Sequence, residues 1–508
     1  METAYYDEAN AVTYSDQQDL IHRTPWWVVS MIFHGAILLM AAMWVVSEIN
    51  KEDVVEIIAM NPQTYKKPEY DPTLKREIKR NTTPVEHEVI VDDPFIDKID
   101  IEIDEPETDD DLEFKETKGN KGLTMIDHNS NNADWVYGVG STGAGRFGDG
   151  RGGDKWARVK TGGGSEATED AVLAALMWFK RHQSADGSWS MGTYHENCTD
   201  LPQCESLDLE RDYNNWDNCA TGFALLCYLG AGNTHKAGPF KRQVADALAY
   251  MLEAQADDGS FSSNNYVHAV AAMAMAEAYG MTKSKDLKSP AQKAVNIIIS
   301  RQNDYLGWTY GNPASRNDTS VTGWQVMALK SAKSSGLGIG NTFEGAAAHF
   351  DKVTPEIVGE SEPMLSDHVA YTYWTDRDDP GHRNSTCTSI GLLCRVFMGD
   401  NVKGRSLRAH ANKMLEYLPA DYANGKFYEW YYASMAMFQM GGGYWRKWNV
   451  AIKEVLLTNQ NKGGCEDGSW DPTTDFSCQR GGRLFTTAVG CLTMEVYYRY
   501  LPVAMQKR

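Results

Sequence analysis

The stretch Gln183-Ser-Ala-Asp-Gly-Ser-Trp189 recurs, imperfectly, down the remainder of the chain. A second copy reads Gln255-Ala-Asp-Asp-Gly-Ser-Phe261, a third is worn down to Gln302-Asn-Asp-Tyr-Leu-Gly-Trp308, and a fourth is stretched, with Gln460 followed by Glu466-Asp-Gly-Ser-Trp470. Ahead of the turn lies an amphipathic run such as 171–180, and some distance after it a run rich in small residues such as 220–227. A fixed turn between paired helices, returning at roughly 50 to 70 residues, marks a helical repeat array. The letters of the turn have separate roles. Asp186-Gly187, Asp258-Gly259 and Asp467-Gly468 supply a tight reversal, since glycine tolerates positive φ and aspartate hydrogen-bonds its own downstream backbone. The amides of Gln183, Gln255 and Gln302 have donors and acceptors enough to bridge backbone groups freed where one helix ends and another begins. Trp189, Phe261, Trp308 and Trp470 then lie over them.

This Gln-x-x-Asp-Gly-Ser-Trp turn resembles the signature of the prenyltransferase/squalene-oxidase repeat family, whose fold is an α/α toroid. The resemblance covers the chain from about Glu166 onward and implies an all-α domain, an (α/α)6 toroid, over 166–508. About six helix pairs are readable: 169–183 with 219–229, 240–255 with 266–279, 290–302 with 320–332, 342–350 with 385–398, 405–418 with 428–440, and 444–460 with 484–500. The second member of each pair is rich in Ala, Gly, Ser and Thr, which suits a crowded inner ring, and closure would leave no terminal repeat to cap.

Ahead of that domain the composition changes. Residues 26–46 carry no Asp, Glu, Lys or Arg, with Trp26, Trp27 and Trp44 near the ends; this length and pattern predict a transmembrane helix, with residues 1–25 in the cytoplasm. Within it, Ser30 and His34 lie four positions apart on one helix face. Ser-x-x-x-His in a single span resembles the anchors of TonB-type proteins, which implies coupling to ExbB/ExbD-like proton-channel subunits, a bacterial inner membrane, and a periplasmic C-terminal domain. Residues 47–165 read as a tether: polar, proline-dotted and acidic, then glycine-dense from 138 to 164.

The formal net charge of −20 argues against nucleic acid. Terpene cyclases that protonate their substrate resemble this family and carry Asp-x-Asp-Asp-Thr-Ala at an inner-helix start. Here the matching positions are 315–320 (Ser-Arg-Asn-Asp-Thr-Ser), which keep Asp318 but put Asn317 where the acid would stand. The literal Asp376-Arg-Asp-Asp379 is followed by Pro380-Gly381, and Arg377 would pull Asp376, Asp378 and Asp379 toward the ionised form. His195, Cys198 and Cys204 have a superficially zinc-like clustering, but their spacing fits no common site. An extracytoplasmic setting favours disulfides, Cys198 with Cys204 and Cys465 with Cys478. No metal and no cofactor are expected.

Intact fold turns beside missing catalytic letters point to a membrane-anchored, non-catalytic toroid that binds a ligand or protein partner. The rival is an enzyme, terpene-cyclase-like or carbohydrate-active, working through Asp318 or the 376–379 carboxylates. A structural scaffold is the third reading.

Overall fold

The computed structural model describes His34 and residues 155–205, 216–304 and 306–499. The chain divides into the units Met1–Glu107 and Thr108–Arg508, and the second is the helical domain. Ser30 and the rest of the expected span and tether lie outside the described residues, apart from His34 at an exposed helical position. Among the described residues no helix is long and apolar enough to cross a membrane.

A short helix α1 (Lys155–Gly162) comes first. An outer row follows: α2 (Glu166–Arg181), α4 (Lys241–Ala254), α6 (Lys285–Ser300), α8 (Thr342–Val353), α10 (Arg405–Leu415) and α12 (Gly442–Thr458). It alternates with an inner row: α3 (Asp217–Gly230), α5 (Asn265–Thr282), α7 (Thr319–Ser335), α9 (Ser385–Met398), α11 (Phe427–Met440) and α13 (Phe476–Met494), before a last turn, α14 (Val496–Arg499). Each inner helix packs against the next and α13 packs against α3, while α12 of the outer row lies against α2. The result is a closed α/α toroid. Two small antiparallel sheets interrupt the all-α pattern: β1 (Arg316–Asp318) pairs with β4 (Thr372–Trp374), and β2 (Ile357–Val358) with β3 (Met364–Leu365).

Burial explains the two rows. The inner helix α5 is buried on nearly every face, Val267 through Ala278 included, as an apolar helix surrounded by others must be. Its alanines keep it slim enough for neighbours on all sides. The outer helix α6 instead buries one stripe, Leu287, Ala291, Ala294, Val295 and Ile298.

The repeated turns tie the outer row together. Gln183 Nε2 donates to the Gly187 carbonyl of its own turn at 2.9 Å and to the Gln243 carbonyl, at the start of the next outer helix, at 3.0 Å. Gln255 does the same to Gly259 and Pro290, at 2.9 and 3.0 Å. Gln302 reaches Leu306 and Thr342, at 2.7 and 2.9 Å. Gln460 completes the circuit, donating to Gly468 at 2.9 Å and to Ala171, in the first outer helix, at 2.8 Å. The tryptophans hold the other edge. Trp189, Trp308 and Trp470 each donate the indole N–H to a carbonyl in the last turns of the preceding outer helix, at 2.8 to 2.9 Å. Their backbone N–H groups donate to Thr221, Thr322 and Thr487 of the inner helices, at 3.0 to 3.2 Å. Phe261 has no indole, and its backbone N–H donates instead to His268 Nδ1 at 3.1 Å.

The ordered domain begins earlier than residue 166. Lys155 of α1 pairs with Glu169 at 2.7 Å and sits 4.5 Å over the Tyr498 ring. Part of the glycine-dense segment is docked: Gly162 accepts from Trp445 Nε1 at 2.6 Å, and Gly163 from Asn449 Nδ2 at 2.9 Å and Lys453 Nζ at 3.0 Å. A Cβ on Gly162 would meet the Tyr497 side chain at 3.1 Å. These glycines let backbone approach side chains, which a composition-based reading as linker does not anticipate.

The middle of the ring is filled. Trp324 of α7 is fully buried and has ring neighbours from other inner helices: Phe223 of α3 at 5.3 Å, Tyr266 of α5 at 5.7 Å, and Tyr432 of α11 at 5.7 Å. Phe223 also meets Phe485 of α13 at 5.5 Å. Toward the inner-helix C-termini, fully buried Arg499 donates to both oxygens of Glu277 at 3.0 and 3.1 Å, to the Leu226 carbonyl at 3.0 Å and to Glu495 at 3.4 Å. That end of the ring is closed by its own charges.

Candidate functional site at the inner-helix mouth

One outer helix returns the chain between successive inner helices, so the inner helices all start at the same mouth, opposite Arg499. Their first turns are acidic or amide-bearing: Asp217 opens α3, and Asn264, Asp318, Asn384 and Asp475 cap α5, α7, α9 and α13. Carboxylates and amides satisfy the free N–H groups there and complement the positive end of the helix dipole.

Asp318 is the most enclosed of these, with no exposed surface. Its Oδ1 accepts from Ser320 N at 3.0 Å, Ser320 Oγ at 2.7 Å and Val321 N at 3.1 Å, while Oδ2 accepts from Arg316 Nη2 at 3.0 Å. Burial outweighs these donors and holds its carboxyl above the usual range. The β1–β4 pairing sets Arg316 opposite Trp374 and Asp318 opposite Thr372. The Arg316 guanidinium lies 5.8 to 5.9 Å from the rings of Tyr310, Tyr371 and Trp374, all three half-buried, and the Tyr310 and Tyr371 hydroxyls are 3.4 Å apart. Half-buried Trp216 and Tyr266, 6.0 Å apart, extend the aromatic rim.

A second buried carboxyl stands on the same rim. Glu429, in the first turn of α11, is 2% exposed. Its Oε2 accepts a short hydrogen bond from Ser385 Oγ and another from Thr386 Oγ1 at 3.3 Å. Lys426 Nζ lies 3.7 Å from that carboxylate and 2.9 Å from Ser385 Oγ. Burial again dominates and raises Glu429, against the pull of Ser385 and Lys426. Burial, then the negative charges of Asp318 and Glu429, hold the Cys387 thiol well above the ordinary value.

The other sequence-derived candidates fall elsewhere. Asn317 is a buried structural amide whose Oδ1 accepts from Asn303 Nδ2 at 2.8 Å. Asp376, Asp378 and Asp379 are exposed loop residues. Asp376 accepts from Ser315 Oγ at 3.4 Å, Asp378 from Tyr373 hydroxyl at 2.5 Å and from Lys352 at 3.4 Å, and Asp379 pairs with Arg377 at 3.5 Å. The Tyr373 hydroxyl and Lys352 pull Asp378 below its ordinary range, which opposes a role as an acid. Glu429 was not singled out from the sequence; its one signal is a Lys-x-x-Glu spacing at the entry to an inner helix.

Neither expected disulfide is formed, and all nine cysteines are free. Cys465 Sγ lies 3.3 Å from His182 Nε2, while Cys478 is buried at the start of α13. Cys198 and Cys204 also turn to His182, at 3.3 and 3.4 Å. His195, the histidine grouped with them by sequence, is not part of this cluster.

Comparison with protein-family models and with curated proteins finds no match. Among solved structures, the chain is similar to an inactive variant of the α-1,6-mannanase of a Salegentibacter species in complex with α-1,6-mannotetrose, with TM-score 0.46, 10% identity, and coverage of 66% of this chain and 99% of that one. A family 76 glycoside hydrolase (mannosidase) of Bacteroides thetaiotaomicron gives 0.45, 10%, 66% and 98%. The unsaturated glucuronyl hydrolase of a Bacillus species gives 0.45, 12%, 65% and 96%. The expectation of a non-catalytic binding toroid is corrected on this point: these neighbours are glycoside hydrolases, and the mouth carries two buried carboxyls, both raised by burial, where the sequence showed only a lost acid.

Proposed function

We propose that the domain is a carbohydrate-active enzyme working at the inner-helix mouth, with Asp318 and Glu429 as its carboxyl pair. The observation that carries this reading is Asp318, sealed from solvent, raised by burial and set behind an aromatic rim. Glycoside cleavage needs one carboxyl that keeps its proton near neutral pH and a second that meets the developing positive charge or activates water. Tyr310, Tyr371 and Trp374 offer ring faces for sugars, and the two tyrosine hydroxyls and Arg316 offer partners for a polyol. Substrate reaches Asp318 by displacing the Arg316 guanidinium.

A polyprenoid substrate fits less well. It requires a wide apolar chamber, and Trp324, Phe223, Phe485 and Tyr432 occupy the middle of the ring. The four bridging glutamines support kinship of the turns with the prenyltransferase/squalene-oxidase repeat, a kinship of scaffold and not of chemistry. An anchor at 26–46 and a periplasmic placement belong to the same proposal; alkaline extraction of membranes and reporter fusions at either end of that segment test it.

The decisive experiment is reducing-sugar release by the purified full chain across a panel of α- and β-linked glycans. Asp318→Asn and Glu429→Gln should each lower the rate by about 10²- to 10⁴-fold while both variants still unfold cooperatively. Consumption of a polyprenoid with no action on any glycan would overturn the reading.

A further inference from the structure

His182, Cys198, Cys204 and Cys465 present four donor atoms that all lie within 4.8 Å of one another. The three sulfurs stand 3.3, 3.4 and 3.3 Å from a single atom, His182 Nε2. Hydrogen bonding does not account for that arrangement, because one imidazole lone pair serves one weak S–H donor and not three. A metal polyhedron does. Zinc bonds of about 2.3 Å to sulfur and about 2.0 Å to nitrogen put the edges of a tetrahedron at roughly 3.5 to 3.8 Å.

The surroundings fit the same reading. His182 Nδ1 lies 2.8 Å from the Trp178 carbonyl, which fixes the proton on Nδ1 and leaves the Nε2 lone pair facing the sulfurs, the usual outer-shell arrangement of a metal-bound histidine. The Trp178 ring stacks on the imidazole at 4.3 Å. The backbone N–H of Cys204 donates to Cys198 Sγ at 3.3 Å, a contact that favours thiolate over thiol. Two guanidiniums flank the loop bearing Cys465: Arg181 donates to the Asp467 carbonyl at 2.6 Å and Arg483 pairs with Glu466 at 2.8 Å. Arg483 also pairs with Asp471, so of the two it is Arg181 that offsets part of the negative charge which three thiolates leave around a divalent ion.

We propose that these four side chains form a closed, structural zinc site that clasps the first repeat of the toroid to the last. His182 caps α2 and Cys198 and Cys204 follow it, whereas Cys465 comes from the far end of the chain, 283 positions from His182. The stretched fourth turn has its explanation here. Gln183 bridges to a carbonyl four residues on, but Gln460 to one eight residues on, and the added residues are those that deliver Cys465. With four protein ligands and no open position, the ion holds structure and performs no chemistry.

The test uses the purified full chain, prepared without chelator. Elemental analysis should return one zinc per chain, X-ray absorption should fit three sulfurs at about 2.3 Å and one nitrogen at about 2.0 Å, and cobalt substitution should give the intense visible bands of a tetrahedral thiolate site. Cys465→Ser should lose the metal and lower Tm by several degrees, while Cys478→Ser should keep it. Because the metal content of the unaltered chain is itself a readout, a variant that fails to fold does not decide the matter. Metal-free protein in which peptide mapping finds a Cys198–Cys204 disulfide overturns the proposal, as does zinc retained in full by Cys465→Ser.

Discussion

Gln460 Nε2 lies 2.8 Å from the Ala171 carbonyl, joining positions 289 residues apart. The same amide donates to Gly468 at 2.9 Å, so one side chain serves both its own turn and the far end of the ring. Gln460→Ala leaves two carbonyls unserved and should cost about 1 to 3 kcal/mol in denaturant unfolding. Gln255→Ala removes an equivalent pair within the chain's interior repeats and should cost a similar amount. A Gln460 variant as stable as the parent would show that this closure contact contributes nothing.

Gly468 and Gly336 separate strain from collision. Both have φ in the left-handed region, +87° and +81°, but a Cβ at Gly468 would run into the Ala174 carbonyl, while at Gly336 nothing lies within 4 Å. Gly336→Ala should therefore cost about 1 kcal/mol, the backbone penalty alone. Gly468→Ala should cost clearly more. Equal losses in calorimetry would mean that the outer helices yield freely at the seam.

Acid should weaken the domain in a defined window. Burial lowers His268 and His410 to about 4 and His349 to about 3, from 6.5. With folded values below the unfolded one, these groups cost nothing above pH 6.5; below it the unfolded chain binds protons first and stability drains away until about pH 4 for His268 and His410 and about pH 3 for His349. The slope should approach roughly 1.4 kcal/mol per pH unit for each histidine. Asp318 and Glu429, raised in the fold, run the other way and offset part of it. His410→Gln should flatten the fall in Tm between pH 6 and 4; an unchanged slope would remove that residue from the account.

Arg316 holds Asp318 down. The guanidinium is 3.0 Å from the carboxylate and lowers its proton affinity against the effect of burial. Arg316→Gln should let Asp318 keep its proton to higher pH, moving the alkaline limb of any activity upward. The same limb in both proteins would place the titrating group elsewhere.

The ring was legible because its turns repeat: Gln183, Gln255, Gln302 and Gln460 each perform a local task that local letters reveal. Asp318 was visible for the same reason, lying where a related motif has a carboxylate, though its burial behind Arg316 follows from β1 pairing with a strand more than fifty residues later. Glu429 belongs to no motif, and only the curvature of the inner row brings it to the same rim. His182 was passed over in favour of His195 because spacing in sequence favoured the nearer histidine, and no local pattern announces Cys465. Sites assembled across the closing seam are silent in a linear reading.

Arg499 has a kinetic implication. Its partner Glu277 sits in the second inner helix, and both are sealed in the interior, so this ion pair forms only once the last inner helix has left the ribosome. Removal of Arg499 by mutation or nonsense codon would take away four interior hydrogen bonds that are made late in synthesis, and quality-control proteases would see the product as unfinished.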